Sequence, residues 1–176
     1  RPHVSRETGY RLIYEDAKSG GGLWRHLPRA HRKRGRRCPR AEGRGRGRIP
    51  GQVPIDLRPA AANSREEAWH WEGDLVNGAG ARGYFVTLTE RRSRLTIVGW
   101  VASKDAAGVR DEVVRLIKSA GFPCASITFD NGKEFALHGE IARALGAVVY
   151  FAHPYHSWER GTNENANGLI RRFYPK

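Results

Sequence analysis

One stretch decides how this 176-residue chain folds: Trp69-His70-Trp71-Glu72-Gly73-Asp74-Leu75-Val76. Its residues alternate as they do in a β-strand that turns one face toward a core. One predicted face consists of Trp69, Trp71, Gly73 and Leu75, and the other of His70, Glu72, Asp74 and Val76. Turn residues, Asn77-Gly78, follow directly. The stretch therefore predicts a strand that carries a carboxylate close to its end.

More strands and helices are predicted after this stretch. Residues 84–90 and 95–102 have the pattern of two strands joined by a short charged turn, so they form an antiparallel meander with the first strand. Residues 126–130 and 148–152 are two more strands, each preceded by a helix with apolar residues at helical spacing. A last helix is expected over about residues 162–173. The order βββαβαβα predicts an α/β domain with a mixed five-stranded sheet and flanking helices.

The charge of the chain is strongly positive and unevenly distributed. The net charge is +13. Residues 1–60 contain 16 Lys/Arg against 5 Asp/Glu (+11), whereas residues 61–176 contain 15 against 13 (+2). Such a charge suits a polyanionic partner, most simply DNA or RNA. Since no run approaches the roughly 18 apolar residues of a membrane span, we expect a cytoplasmic protein that works on DNA.

Most of the positive charge lies in residues 25–48, where Glu42 is the single acid. Gly and Pro are interleaved and apolar periodicity is absent, so we expect a disordered or extended basic arm that binds nucleic acid. The alternative is a charged linker that only aids solubility. The basic residues of the predicted arm are Arg25, Arg29, Arg32, Lys33, Arg34, Arg36, Arg37, Arg40, Arg44, Arg46 and Arg48.

Three carboxylates form a candidate metal site. Asp74 lies on the first predicted strand, Asp130 ends the fourth, and Glu164 opens the last helix. A right-handed crossover makes those two strands neighbours, and such carboxylates can hold a pair of Mg²⁺ ions that cut and join phosphodiesters. Each residue also has a plainer interpretation: a solvated strand residue, a turn residue, or a charge that favours a helix N-terminus.

Four charged residues near these carboxylates are open to more than one interpretation. Lys133 and Arg160 neighbour the candidate ligands in sequence, and Arg171 shares a helix face with Glu164. Lys133 and Arg160 can hold DNA phosphates, or they can be surface charges or ion-pair partners; we include Arg171 with them as a candidate DNA contact. Glu72 shares the face of Asp74 one step away, where it can act as a supporting charge.

Three motifs surround the candidate carboxylates: His70-Trp71-Glu72-Gly73-Asp74-Leu75, Thr128-Phe129-Asp130-Asn131-Gly132-Lys133-Glu134-Phe135, and Trp158-Glu159-Arg160-Gly161-Thr162-Asn163-Glu164-Asn165-Ala166-Asn167-Gly168-Leu169-Ile170-Arg171-Arg172-Phe173-Tyr174-Pro175-Lys176. In these motifs residues 69–176 resemble the catalytic core of bacterial DDE transposases of the insertion sequence thirty family. The resemblance extends upstream through residues 46–51 and a predicted short helix at residues 4–14. It therefore covers nearly the whole chain.

The resemblance implies a ribonuclease H-like fold with Asp74, Asp130 and Glu164 as the metal-binding catalytic triad. It further implies two divalent ions, Mg²⁺ with Mn²⁺ as a substitute, and no organic cofactor. The family cuts DNA at transposon ends and joins the freed 3′-hydroxyl to target DNA. Double-stranded DNA is thus the implied partner, a homo-oligomer the implied assembly at two ends, and the bacterial nucleoid in the cytoplasm the implied location.

The resemblance also divides the chain. Residues 1–24 are expected to be the remnant of an N-terminal helix-turn-helix region, residues 25–67 a basic and largely disordered linker, and residues 68–176 an integrase-type catalytic core truncated at its C-terminus. Because the chain contains no methionine and begins with Arg1, we expect a fragment. Two alternatives remain: a catalytically inactive transposase remnant that only binds DNA, and a ribosomal or chromatin-type basic protein. Metal dependence distinguishes the enzyme from the remnant.

Overall fold

A computed structural model describes residues 4–27, 49–78, 83–154 and 156–174, which fall into two units. The first unit contains helix α1 (Arg6–Lys18) and a 3-10 helix (Leu23–His26). Ser5 is the N-cap of helix α1, and its side chain accepts a hydrogen bond from the backbone N–H of Thr8 (3.1 Å). The rest of the predicted basic arm, residues 28–48, lies outside the described residues.

The second unit is built on a mixed six-stranded sheet in the order β1-β6-β5-β2-β3-β4. Strands β2, β3 and β4 form the predicted antiparallel meander, and β1, β6 and β5 are parallel to β2. The strands are β1 (Val53–Pro54), β2 (His70–Asn77), β3 (Tyr84–Glu90), β4 (Thr96–Val101), β5 (Ser126–Phe129) and β6 (Val148–Phe151).

The sequence prediction differs from the structure before residue 68. The predicted sheet had five strands, but the short strand β1 adds a sixth, with Val53 paired to Tyr150. Residues 49–67 were expected to belong to a disordered linker, yet they also contain a 3-10 helix (Ile55–Leu57) and α2 (Ala60–Ser64). The physical reason is burial: Ile49 and Ile55 are almost wholly buried and anchor this segment.

Helices α3 (Ala106–Ala120) and α4 (His138–Leu145) pack on one face of the sheet. Asp105 caps α3 by accepting a hydrogen bond from the backbone N–H of Gly108 (2.7 Å). Both helices end at glycines in the left-handed region, as is common at helix C-termini. Helix and sheet together bury Trp71, Val86, Leu88, Val109, Val113, Leu116, Ile117, Ile127, Phe129 and Ile141.

The last helix, α5 (Gly161–Phe173), packs against β2 and β3 and follows a 3-10 helix (Ser157–Arg160). The sheet side chains buried opposite the apolar core are unusually polar: Glu72, Thr87, Thr89 and Thr128 are wholly buried. Both faces of the sheet are therefore covered, one by an apolar layer and one by a polar layer. Within the described residues, no helix is long and apolar enough to cross a membrane.

Gly73 in β2 supports this packing because it lacks a side chain. A Cβ at this position would overlap the ring of Phe129, which is wholly buried and stacks on Phe135 with 4.1 Å between ring centroids. We expect Gly73→Ala to lower the free energy of unfolding by about 1–3 kcal/mol, the usual cost of overpacking a core. Urea denaturation measures the change.

The matched control is Gly139→Ala in α4, where a Cβ would meet nothing within 4 Å. It is expected to raise the free energy of unfolding by about 0.5–1 kcal/mol, because alanine is the better helix former. Equal stability of Gly73→Ala and the parent would mean that the Phe129 ring can move aside.

Candidate active site

Asp74 lies within β2, three residues before its end, and Asp130 directly follows the adjacent parallel strand β5. Strands β2 and β5 pair with Glu72 opposite Thr128. The same register continued by two residues brings Asp74 opposite Asp130, which directly follows β5. The expectation that these two strands are neighbours is thereby confirmed.

Arg160 bridges the two aspartates. Its Nη1 is 3.5 Å from Asp74 Oδ1, and its Nη2 is 3.4 Å from Asp130 Oδ2. Nη1 also donates a hydrogen bond to the carbonyl of Gly73 (3.2 Å). The sequence left open whether Arg160 holds DNA phosphates, is a surface charge or is an ion-pair partner. In this structure it forms ion pairs. The guanidinium of Arg160 therefore partly neutralises the two carboxylates.

Helix α5 reaches Asp74 through an amide. Asn167 Nδ2 donates to Asp74 Oδ2 (2.8 Å), and the backbone N–H of Leu75 donates to Oδ1 (2.9 Å). Glu164 precedes Asn167 by three residues, so it lies on the same helix face, and it is exposed. Among the described residues, the carboxylates of Asp74, Asp130 and Glu164 do not form a cluster with all ligand atoms within 4.8 Å of one another. The structure thus links the two aspartates through Arg160 and places the exposed Glu164 on the helix whose Asn167 contacts Asp74.

The carboxyl of Asp74 has a pKa above its ordinary value. Burial is the main cause, since it disfavours the charged form. The Arg160 cation opposes this increase in the pKa, and the neighbouring Asp130 charge adds to it. Two carboxylates that share one guanidinium leave an excess of negative charge, which is the electrostatic condition for binding cations.

Because the folded-state pKa of Asp74 is raised, its ionisation destabilises the fold. The contribution of Asp74 to stability is fully present below its unfolded pKa and is lost as the pH rises through the folded pKa. In EDTA, Asp74→Asn is therefore expected to raise the melting temperature at pH 7 relative to the parent. The gain should shrink at acidic pH, where the parent carboxyl is protonated. The melting temperatures of both proteins, measured from acidic pH to pH 7, give this difference. A difference that does not change with pH would contradict the raised pKa of Asp74.

Glu72 is the centre of a buried polar network beneath this site. It is wholly buried and forms an ion pair with Arg91. Its Oε2 accepts a hydrogen bond from the backbone N–H of Asn163 (2.9 Å), and its carbonyl accepts one from the Asn163 side chain (3.1 Å). Asn163 directly precedes Glu164 in α5. Glu72 therefore fixes the first turn of the helix that carries the third candidate ligand.

Arg58 joins this network from the ordered segment before residue 68. Its Nη1 donates to Thr128 Oγ1 (3.1 Å) and its Nε to Asn63 Oδ1 (2.7 Å). Burial, with the nearby Arg91 charge second, lowers the pKa of Arg58 to about 10. Arg91 in turn donates from Nε to the carbonyl of Ala62 (3.0 Å). Two arginines thus tie residues 58–63 to the buried side of the sheet.

The other predicted nucleic-acid contacts are either at least partly exposed or outside the described residues. Lys133 is exposed in a 3-10 helix (Lys133–Phe135), and Arg171 is partly exposed in α5. Arg25 is exposed in the first unit. The remaining predicted contacts of the arm lie outside the described residues: Arg29, Arg32, Lys33, Arg34, Arg36, Arg37, Arg40, Arg44, Arg46 and Arg48.

The sequence analysis did not assign to the site three residues that build it: Arg91, Asn163 and Asn167. Asn163 and Asn167 occur four residues apart on one helix, a spacing that indicates a shared polar face. That signal was present in the sequence. Arg91 lies in a predicted charged turn, and no sequence pattern there indicates that its side chain is buried.

Three relatives match nearly the whole chain. The transposase for insertion sequence element IS4351 of Bacteroides fragilis is 42% identical over 173 residues, which are 98% of this chain and 52% of the relative. The transposase for IS1086 of Cupriavidus metallidurans is 40% identical over 177 residues (99% and 52%). Transposase InsI for IS30A of Escherichia coli is 37% identical over 177 residues (98% and 46%).

The chain belongs to the IS30 family of transposases. It spans about half the length of the curated relatives it matches. No protein-family model matches the chain. The region of identity includes β2, β5 and α5, the elements that build the candidate site.

A solved structure shares the fold. A chain of the simian T-cell lymphotropic virus intasome in complex with PP2A regulatory subunit B56 gamma superposes with a TM-score of 0.53 at 17% identity. The match covers 58% of this chain and 38% of that chain. At this identity the likeness concerns the fold alone. The fold of this chain is ribonuclease H-like, as the sequence resemblance implied.

Proposed function

We propose that this chain carries the catalytic core of a transposase that cuts DNA at transposon ends and joins the freed 3′-hydroxyl to target DNA. In this proposal, Asp74, Asp130 and Glu164 are the catalytic triad of a polynucleotidyl transferase. The observation that supports it best is that one guanidinium, that of Arg160, contacts both Asp74 on β2 and Asp130 after the neighbouring parallel strand β5. The hydrogen bond from Asn167 to Asp74 (2.8 Å) brings the helix of Glu164 against that pair.

Two divalent ions, Mg²⁺ or Mn²⁺ in its place, fit the donor atoms at this site. The candidate ligands Asp74, Asp130 and Glu164 offer carboxylate oxygens, which Mg²⁺ prefers. One guanidinium shared by the two carboxylates of Asp74 and Asp130 leaves a negative charge that a cation can neutralise. When bound, such ions activate the attacking oxygen and neutralise the charge that develops at the phosphate.

The neighbouring side chains have separate roles in this proposal. Asn167 and the Leu75 N–H hold the Asp74 carboxylate in a fixed orientation. Arg160 neutralises the two aspartates. With divalent ions held by Asp74 and Asp130, its guanidinium would be free to hold a DNA phosphate. Lys133 and Arg171 supply further phosphate contacts at the edge of the site.

The proposed partner is double-stranded DNA, both transposon end and target. The basic arm at residues 25–48 provides binding that does not depend on sequence. Helix α1 is proposed as the remnant of a helix-turn-helix region that recognises the ends, and residues 68–176 as the integrase-type core. Synapsis of two ends requires a homo-oligomer, and the place of action is the bacterial nucleoid.

A cleavage assay tests the proposal directly. The chain is incubated with a labelled duplex that carries candidate transposon ends, with Mg²⁺, with Mn²⁺ or with EDTA. We expect nicking with either ion and none in EDTA. If the duplex is bound but never nicked with either ion, the chain is a DNA-binding transposase remnant and the catalytic proposal fails.

The basic arm is expected to dominate the salt dependence of DNA binding. Replacing residues 25–48 with an uncharged Gly/Ser linker of equal length removes eleven Lys/Arg. Each lost phosphate contact reduces the slope of log K against log salt by about 0.9. We therefore expect weaker binding to every duplex and a flatter slope, measured by fluorescence anisotropy over a range of salt concentrations. Unchanged affinity and slope would show that the arm does not contact DNA.

A further inference from the structure

Three side chains outside the proposed triad converge in the segment that precedes α5. They are His153, His156 and Glu159, and one ligand atom of each lies within 4.8 Å of the others. The segment runs from the end of β6 through the 3-10 helix Ser157–Arg160. We propose that these three side chains bind one divalent transition-metal ion of the Zn²⁺ class.

The carboxylate of Glu159 is oriented for this role. Its Oε2 accepts a hydrogen bond from the backbone N–H of His153 (2.8 Å). Its Oε1 remains directed at two imidazole nitrogens, 2.9 Å from His153 Nδ1 and 3.6 Å from His156 Nδ1. One oxygen therefore fixes the carboxylate, and the other is available to an ion between the two rings.

The two histidine rings are also held in place. His153 Nε2 lies 3.0 Å from Asp56 Oδ2. A histidine that binds metal through one ring nitrogen usually donates its other N–H to a carboxylate, which orients the ring and raises its basicity. His156 Nδ1 is buried and has no hydrogen-bond partner among the described residues, and the Trp158 ring packs 4.4 Å from the His156 ring. The lone pair of His156 Nδ1 is thus left for a ligand.

The donor atoms indicate which ion binds. Two imidazole nitrogens and one carboxylate oxygen suit Zn²⁺, Co²⁺ or Ni²⁺, whereas Mg²⁺ prefers oxygen ligands throughout. With three protein ligands, a fourth position stays open to water. The site therefore differs in chemistry from the carboxylates of Asp74, Asp130 and Glu164, and it does not depend on the proposed function.

Such an ion would join two parts of the chain. Asp56 belongs to the 3-10 helix beside β1, and Glu159 directly precedes Arg160, which bridges Asp74 and Asp130. The ion would stiffen the turn between β6 and α5 from which Arg160 extends. We expect Zn²⁺ to raise the melting temperature of the chain, because a ligand that binds the folded state stabilises it.

The test is Zn²⁺ binding by the untagged, chelator-treated chain, measured by competition with a chromophoric chelator in millimolar Mg²⁺. We expect one Zn²⁺ per chain. His156→Ala or Glu159→Gln should weaken the affinity at least about 100-fold, and Asp56→Asn about 10–100-fold, as is typical when an outer carboxylate is removed. The side chains of His156 and Asp56 are 42% and 68% exposed, so these variants should fold.

Two controls identify the site. His26→Ala removes an exposed histidine of the first unit, and Asp130→Asn removes a candidate Mg²⁺ ligand; neither should change Zn²⁺ affinity. The parent loaded with Co²⁺ should also show visible absorption bands of a nitrogen-ligated ion. The proposal is overturned if the parent binds no Zn²⁺ in Mg²⁺, if His156→Ala and Glu159→Gln bind as tightly as the parent, or if Asp130→Asn loses the ion.

Discussion

Asp130→Asn and Glu164→Gln are each expected to reduce metal-dependent DNA cleavage by at least about 1,000-fold, since the metal ions supply several kcal/mol of transition-state stabilisation. Both substitutions keep the size of the side chain and remove its negative charge. Asp130 lies beside Asp74 and pairs with Arg160, so its loss leaves too little negative charge to hold an ion. DNA binding in EDTA should remain close to that of the parent, because in our proposal the basic arm provides it.

Cleavage of a labelled duplex in Mn²⁺ and anisotropy binding in EDTA measure the two quantities on the same preparations. The matched control is Glu66→Gln, which neutralises an exposed carboxylate outside the proposed triad and should cleave like the parent. Substantial cleavage by either triad variant would remove that residue from the triad. Loss of cleavage together with loss of binding would instead indicate a damaged fold.

Glu72→Ala is expected to produce the largest loss of stability, about 3–5 kcal/mol, which is the usual cost of removing one partner of a buried ion pair. Arg91 would remain buried without a countercharge, and the Asn163 N–H would lose its acceptor. Urea denaturation measures the free energy of unfolding. Glu66→Ala serves as the control, since exposed substitutions usually change stability by less than about 0.5 kcal/mol.

A double variant separates the structural role of Glu72 from its role in positioning α5. Glu72→Leu combined with Arg91→Met replaces the ion pair by apolar side chains and should recover most of the lost stability. Cleavage should stay low, because the backbone N–H of Asn163 loses its carboxylate acceptor and the first turn of α5 keeps only the bond from the Asn163 side chain to the carbonyl of residue 72. A double variant that is stable and fully active would show that Glu72 has no part in positioning the helix.

The elements that place Asp74 and Asp130 were predictable from the sequence. The alternation of residues on either side of Gly73 fits only a β-strand, and the spacing of the apolar residues along α3 fits only a helix. A right-handed crossover after the meander then made β5 the parallel neighbour of β2. The local residue patterns and the rule of right-handed crossovers were therefore enough to predict that the two aspartates lie close together.

The buried polar side of the sheet was not predictable in the same way. Glu72, Thr87 and Thr128 alternate with apolar residues, as solvent-facing residues do, yet all three are wholly buried. Their burial depends on partners far away in sequence, among them Arg58. Arg58 falls within the predicted basic linker of residues 25–67, because a single sequence does not distinguish a solvated arginine from one that completes an internal ion network.

Insertions and deletions among transposases of this kind should spare residues 70–74 and 126–130. Side chains alternate between the two faces of a strand, so a change of one residue in either strand would rotate its aspartate to the opposite face. Such a change would separate the Asp74–Asp130 pair even with every catalytic residue still present. Natural variation in length should therefore collect elsewhere, for example in the turn after β2, while these two strands evolve by substitution alone.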